Sequence, residues 1–233
     1  MAHTLAEPYR AYKPLPFTKA ERETTTVLYG GLHWRAERLV QGVFENLGYH
    51  ARALPTATKE DLLTGREMAD IGQCCPTSFT TGNLANFLRK ESGLIGKEAV
   101  ARNYIHVTAG SCGSCRFGQY HQSYELALRN VGLDAFRLFL FEQSRFDQGP
   151  MHGGGLDINL PFTLGLLWAL IASDLIQDFE YRTRPFEVNA GETDRVAREA
   201  IDYLYEVFRR RPVRDGKYKA LAWHLLTGYF AEA

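Results

Sequence analysis

A chain of 233 residues can build one large or two small domains around a sizeable core, and Lys plus Arg equals Asp plus Glu at 27 each. A balanced charge of this kind excludes the basic footprint of a nucleic-acid binder. The one basic run, Arg209-Arg210-Arg211 with Arg214, follows a predicted helix and reads as its positively charged C-terminal end.

Residues 1–24 are polar, carry Pro8, Pro14 and Pro16, and read as an extended N-terminal arm without the apolar core of a signal peptide. The expectation is therefore a cytoplasmic chain. Thr26 to Tyr29 reads as a strand closed by Gly30-Gly31. A helix follows from about Trp34 to Leu47, with Leu39, Val40, Val43, Phe44 and Leu47 at helical spacing. Gly48 stops it, and Tyr49 to Leu54 returns as a second strand. A β-α-β unit of this kind implies a parallel sheet. Next come helical segments at Lys59 to Ala69 and at Gly82 to Arg89. A third strand (Tyr104 to Thr108), a helix (Gln119 to Val131, stopped by Gly132) and a fourth strand (Phe136 to Phe141) complete residues 25–143 as an α/β domain.

Residues 144–233 change character. A glycine-rich loop with Gly149, Pro150, His152 and Gly153-Gly154-Gly155 leads into helical stretches over about 160–180, 192–211 and 216–230. The apolar run Leu160 to Ala172 contains Pro161 and Gly165, is too short to span a bilayer, and precedes Asp174 and Asp178; a buried helix is predicted. Val196, Ala200, Leu204 and Phe208 recur every four residues and define an apolar face that needs a partner.

The four cysteines stand in two clusters, Cys74-Cys75-Pro76 and Cys112-Gly113-Ser114-Cys115. In a reducing compartment such grouping points to metal binding or catalysis rather than to disulfides. A C-x-x-C loop lets two sulfurs face one point, while Gly113 and Gly118 allow backbone N–H groups to turn towards bound sulfide. The second cluster also falls between a predicted strand's C-terminal end and a helix N-terminus, where open α/β sheets place ligands and where N–H groups stabilise an anionic core. Cys75, Cys112 and Cys115 make a natural set of three ligands for a [4Fe–4S] cluster, with one iron left open. Cys74 has two readings, a further ligand or a small buried hydrophobe, since neighbouring side chains in extended backbone point to opposite sides. Zinc is the rival metal, held by three cysteines and His106 or His121. Arg116 suits either an anionic core or a surface ion pair. Thr77, Ser78 and Thr80 suit either sulfide contacts or helix capping. His33, at the first βα turn, and His152 are weaker candidates.

Thr108-Ala-Gly-Ser-Cys-Gly-Ser-Cys-Arg-Phe-Gly-Gln-Tyr120, with Tyr124-Glu-Leu-Ala-Leu-Arg-Asn130 behind it, resembles the iron–sulfur proteins related to 2-hydroxyacyl-CoA dehydratases. That group includes the cysteine-bearing part of long CoA-dehydratase activators and the double-cubane cluster proteins. Cys75-Pro76, Gly82-Asn83-Leu84, Arg184-Pro-Phe-Glu-Val188 and Gly191-Glu-Thr-Asp194 also fit, over roughly residues 25–230. The resemblance implies a flavodoxin-like domain with an oxygen-sensitive [4Fe–4S] or larger double-cubane cluster held by Cys75, Cys112 and Cys115. It also implies an ATP-hydrolysing activator that injects one electron, an acyl-CoA substrate reduced to a ketyl radical that expels a hydroxyl, and oligomeric assembly or a second cluster-bearing subunit. Two features depart from what the resemblance leads one to expect: a second α/β domain is expected beyond the region that ends here at Ala233, and Gly153-Gly154-Gly155 is not followed by the Lys-Ser/Thr of a phosphate loop. The activity it implies is that of a lyase or a reductase component. The alternative is a non-catalytic module that relays electrons or is stabilised by zinc or a cluster.

Overall fold

The computed structural model describes residues 12–68, 72–110, 116–142, 155–157 and 159–210. The chain is an α/β protein. Strands β1 (Thr26–Tyr29), β2 (His50–Ala53), β3 (Tyr104–Gly110) and β4 (Arg137–Glu142) form a parallel sheet in the order β2-β1-β3-β4. This is the order of the first four strands of a flavodoxin-like sheet. The helices are α1 (Trp34–Asn46), α2 (Lys59–Met68), α3 (Cys75–Ile95), α4 (Lys97–Asn103), α5 (Tyr120–Asn130), α6 (Leu160–Thr183) and α7 (Glu192–Arg210). Two compact units emerge: Met1–Phe17 with Leu54–Gly153, and Thr18–Ala53 with Gly154–Ala233. The sequence-predicted helix over 216–230, His152 and the glycines 153–154 lie outside the described residues.

In the first unit, residues 12–17 of the expected arm lie outside helix and strand. They are tied by hydrogen bonds from Lys13 N to Asp134 O and Leu15 N to Ala135 O, and from the Tyr12 hydroxyl to Phe136 O. The segment ends on Phe17, which is 1% exposed and lies against the buried Arg137 guanidinium. β3 and β4 pair from Ile105↔Arg137 to Gly110↔Glu142, so β3 runs two residues beyond its predicted end. α4 has no counterpart in the sequence reading; Gly96, at φ 87°, separates it from α3.

The largest difference is α3. It begins at Cys75, well before the predicted Gly82, and runs for 21 residues. Its first turns, Thr77-Ser78-Phe79-Thr80-Thr81, lack the 3.6-residue apolar period because α2 covers them by backbone contact rather than through large side chains. A Cβ on Gly65 of α2 would lie 1.8 Å from the Ser78 carbonyl oxygen, and one on Gly82 of α3 would lie 1.8 Å from the Asp61 carbonyl oxygen. Only glycine lets the two helices approach so closely. The buried Asp61 carboxylate fixes the crossing, accepting from Thr58 N (2.7 Å), Asn86 Nδ2 (2.8 Å) and Asn83 Nδ2 (3.3 Å). Burial pushes its pKa up, but these donors outweigh burial and hold the carboxyl below its usual range.

Glycine-to-alanine changes within α3 should therefore have opposite signs. A helix-interior exchange ordinarily gains about 1 kcal/mol. Gly93→Ala, where a Cβ meets nothing within 4 Å, should show a gain of that kind. Gly82→Ala should instead cost about 2–3 kcal/mol through overpacking. Urea unfolding midpoints measure both.

The second unit packs α1 against α6 and α7. A Cβ on Gly165 would meet Val43 Cγ1 at 2.9 Å, and one on Gly42 would meet the Tyr205 carbonyl oxygen at 2.9 Å. Asn46 Nδ2 donates to Phe208 O and Arg209 O, satisfying carbonyls that α7 leaves open at its end. The apolar face of α7 is Ala197, Ala200, Ile201, Leu204 and Phe208; Val196, expected on that face, is 41% exposed because the buried row is centred one residue later.

α6 corrects another expectation. It is not buried all round: Phe162, Gly165, Ala169 and Ala172 face inwards, while Leu160, Leu167 and Ile171 are exposed. At 24 residues it extends well past the apolar run, and by length and composition alone it is long enough to cross a membrane. Beneath it, the Arg35 guanidinium of α1 is paired with the Glu180 carboxylate of α6; both side chains are 4% exposed. Arg184 bridges Glu180 to Asp194 of α7.

Candidate functional site

The candidate site is the head of α3. Cys74 occupies the N-cap with extended backbone (φ −76°, ψ 154°), and Cys75 opens the helix. Pro76 follows in the first turn, where its fixed φ suits the helix and its missing N–H is no loss. The helical backbone sends the two sulfurs to different neighbours. Cys74, partly buried, lies 2.9 Å from Thr77 Oγ1 and 3.5 Å from the Tyr120 hydroxyl. Cys75 is exposed, and Arg66 Nη2 of α2 donates to its sulfur at 3.6 Å.

The Thr77 hydroxyl, then the Tyr120 hydroxyl and the Thr77 backbone N–H, lower the Cys74 thiol to about 7, against desolvation. Free thiolate is thus abundant at neutral pH, as a helix N-terminus favours. Thr77 and Ser78 are buried, and the Thr80 hydroxyl donates to the carbonyls of Pro76 and Thr77. None of the three is the helix cap, because Cys74 holds that position.

Side chains tie the head of α3 to the first turn of α5. Besides Cys74 and Tyr120, Gln73 Nε2 donates to Ser123 Oγ at 2.8 Å. Tyr120, the first residue of α5, follows Cys115 closely in the chain, after a 3₁₀ turn over Arg116–Gln119 in which the Phe117 ring meets Tyr120 edge-on. Cys112, Cys115 and the Arg116 side chain lie outside the described residues.

Among the described residues, no three His, Cys, Asp or Glu side chains come together as a metal site. His106, the rival zinc ligand, is buried within β3 with its ring edge-on to Tyr124 at 5.1 Å. His33 caps α1 in the second unit; burial and then Arg35 lower its pKa, and its Nε2 accepts from Arg35 Nη1 at 2.8 Å. A cavity of about 380 Å³ in the same unit is walled by Ile176, Phe179, Val196 and Ala200. Its carboxylates are all engaged: Glu180 with arginines, Glu187 with the N–H groups of Gly191 and Thr193, and Glu192 with Asn189.

Arg66 was not among the sequence candidates. The one local sign of it is Gly65 beside it, a glycine inside a helix, which marks a close backbone approach. Gln73 and Tyr120 gave no sign beyond their nearness to the cysteines.

The fold and the site together define a parallel-sheet α/β protein with vicinal thiols at the head of a long helix. Comparison with protein-family models, curated proteins and solved structures finds no match to this chain.

Proposed function

We propose that the chain is the iron–sulfur subunit of a 2-hydroxyacyl-CoA dehydratase-like or other low-potential reductive system. The observation that carries this reading is the bond pair tying the head of α3 to the first turn of α5: Cys74 Sγ to the Tyr120 hydroxyl at 3.5 Å and Gln73 to Ser123 at 2.8 Å. Residues flanking the two cysteine clusters are thereby neighbours in space, as a shared inorganic core requires.

The donor chemistry fits. Cys75 offers an exposed sulfur beside a guanidinium and a helix N-terminus, both of which favour an anionic core. Cys112 and Cys115 supply the C-x-x-C bite in this proposal. Cys74, tied to Thr77 and Tyr120, stands beside the ligands rather than among them. When bound, a [4Fe–4S] cluster supplies one-electron chemistry, and three protein ligands leave one iron open. Pro76 stiffens the turn that aims Cys75, and the α2–α3 glycine crossing keeps that turn from shifting.

An ATP-hydrolysing activator is the proposed electron source, an acyl-CoA thioester the proposed substrate class, and a second cluster-bearing subunit or a second copy the proposed partner. Anaerobic purification of the chain should give a brown protein with broad charge-transfer absorption, containing iron and acid-labile sulfide. A colourless protein holding one zinc per chain rejects the iron reading. Turnover of a hydroxyacyl-CoA by a mixture with the neighbouring ATPase and subunit separates an enzyme component from a simple electron relay.

A further inference from the structure

We propose that Arg66 is a positioning and charge-setting residue of this site, raising the reduction potential of a cluster bound through Cys75. The inference rests on the cluster reading above.

Arg66 reaches Cys75 because of a backbone device rather than by chance of a long side chain. Gly65 brings the α2 backbone against Ser78, three residues into α3, and Gly82 brings α3 against Asp61 one turn earlier in α2. The Asp61 carboxylate, bonded to Thr58, Asn83 and Asn86, locks the crossing angle. With residue 65 fixed against residue 78, the next side chain of α2 is delivered to the first residue of α3, and Nη2 of Arg66 donates to Cys75 Sγ at 3.6 Å. Among the described residues, the Cys75 sulfur is the contact observed for the Arg66 guanidinium.

The direction of the effect follows from charge. Reduction adds an electron to a cluster that thiolate ligands already make anionic. An N–H···S hydrogen bond and a nearby positive charge both stabilise the more negative, reduced form. Exposure of both groups leaves the charge part open to screening by salt, whereas the hydrogen bond persists.

The test compares wild type, Arg66→Gln and Arg66→Lys as full-length chains, prepared anaerobically and matched for iron and sulfide content. Midpoint potentials are read by optical and electron-paramagnetic titration against mediators. Arg66→Gln should shift the potential to a more negative value at unchanged cluster content, and Arg66→Lys should recover part of the shift. The Arg66→Gln shift should shrink, without vanishing, at high salt. Equal potentials in all three proteins, each with its cluster intact, overturn the role of Arg66 and leave the cluster reading standing. A wild-type chain that takes up no iron and sulfide overturns that reading and the Arg66 role with it.

Discussion

Glu180→Ala should lower the unfolding free energy by about 3–5 kcal/mol, the cost of stranding a buried charge when its partner is removed. Arg35 is the charge that would be stranded: it sits on the inner face of α1, its side chain 4% exposed, with Glu180 as its carboxylate. Arg184 shares that carboxylate but is 46% exposed, so water can take over its solvation. Replacing both charges with apolar residues of similar volume, Arg35→Met with Glu180→Leu, should recover most of the loss, since a buried pair itself contributes little net stability. Urea unfolding of the two single variants and the double variant gives the coupling directly. A single-variant loss below about 1 kcal/mol would mean that water reaches the pair in solution.

The second large effect concerns the thiols. On the proposed cluster reading, Cys75→Ala should abolish the brown colour and remove nearly all iron, as should Cys112→Ala and Cys115→Ala. Cys74→Ala should retain the cluster, since its sulfur is already engaged by Thr77 and Tyr120. It should show instead as a loss of about 1 kcal/mol in stability, typical of a lost side-chain hydrogen bond. Parallel iron, sulfide and unfolding measurements on the four variants check the assignment. Iron lost equally from Cys74→Ala would make Cys74 a ligand, and iron retained in Cys75→Ala would remove Cys75 from the site.

Much of the fold is legible in the sequence because it is written locally. β1 spans the predicted residues, Thr26–Tyr29, and α1 ends one residue from its predicted end. The glycines read as stops behave as such, Gly48 at φ 84° and Gly132 at φ 72°, a backbone region that side chains with a Cβ seldom enter. The candidate site was legible in part: the cysteines come from spacing alone, and only the second pair was placed just before a helix start. The first turns of α3 were hidden because threonine- and serine-rich segments carry no apolar period, and their helix is held by a glycine-lined neighbour.

What the sequence by itself determined is most of the elements, their parallel connection and the residue types able to bind a metal. Each follows from periodicity and turn chemistry within a few residues. Only the tertiary structure decided that residues 18–53 pack with the C-terminal helices while 54–153 form their own unit, and that Arg35 meets Glu180. It also decided that Val196 faces out and that Arg66 lies beside Cys75. These depend on which surfaces meet across long stretches of chain. That choice is made by close packing and by the pairing of buried charge, and no local pattern records it.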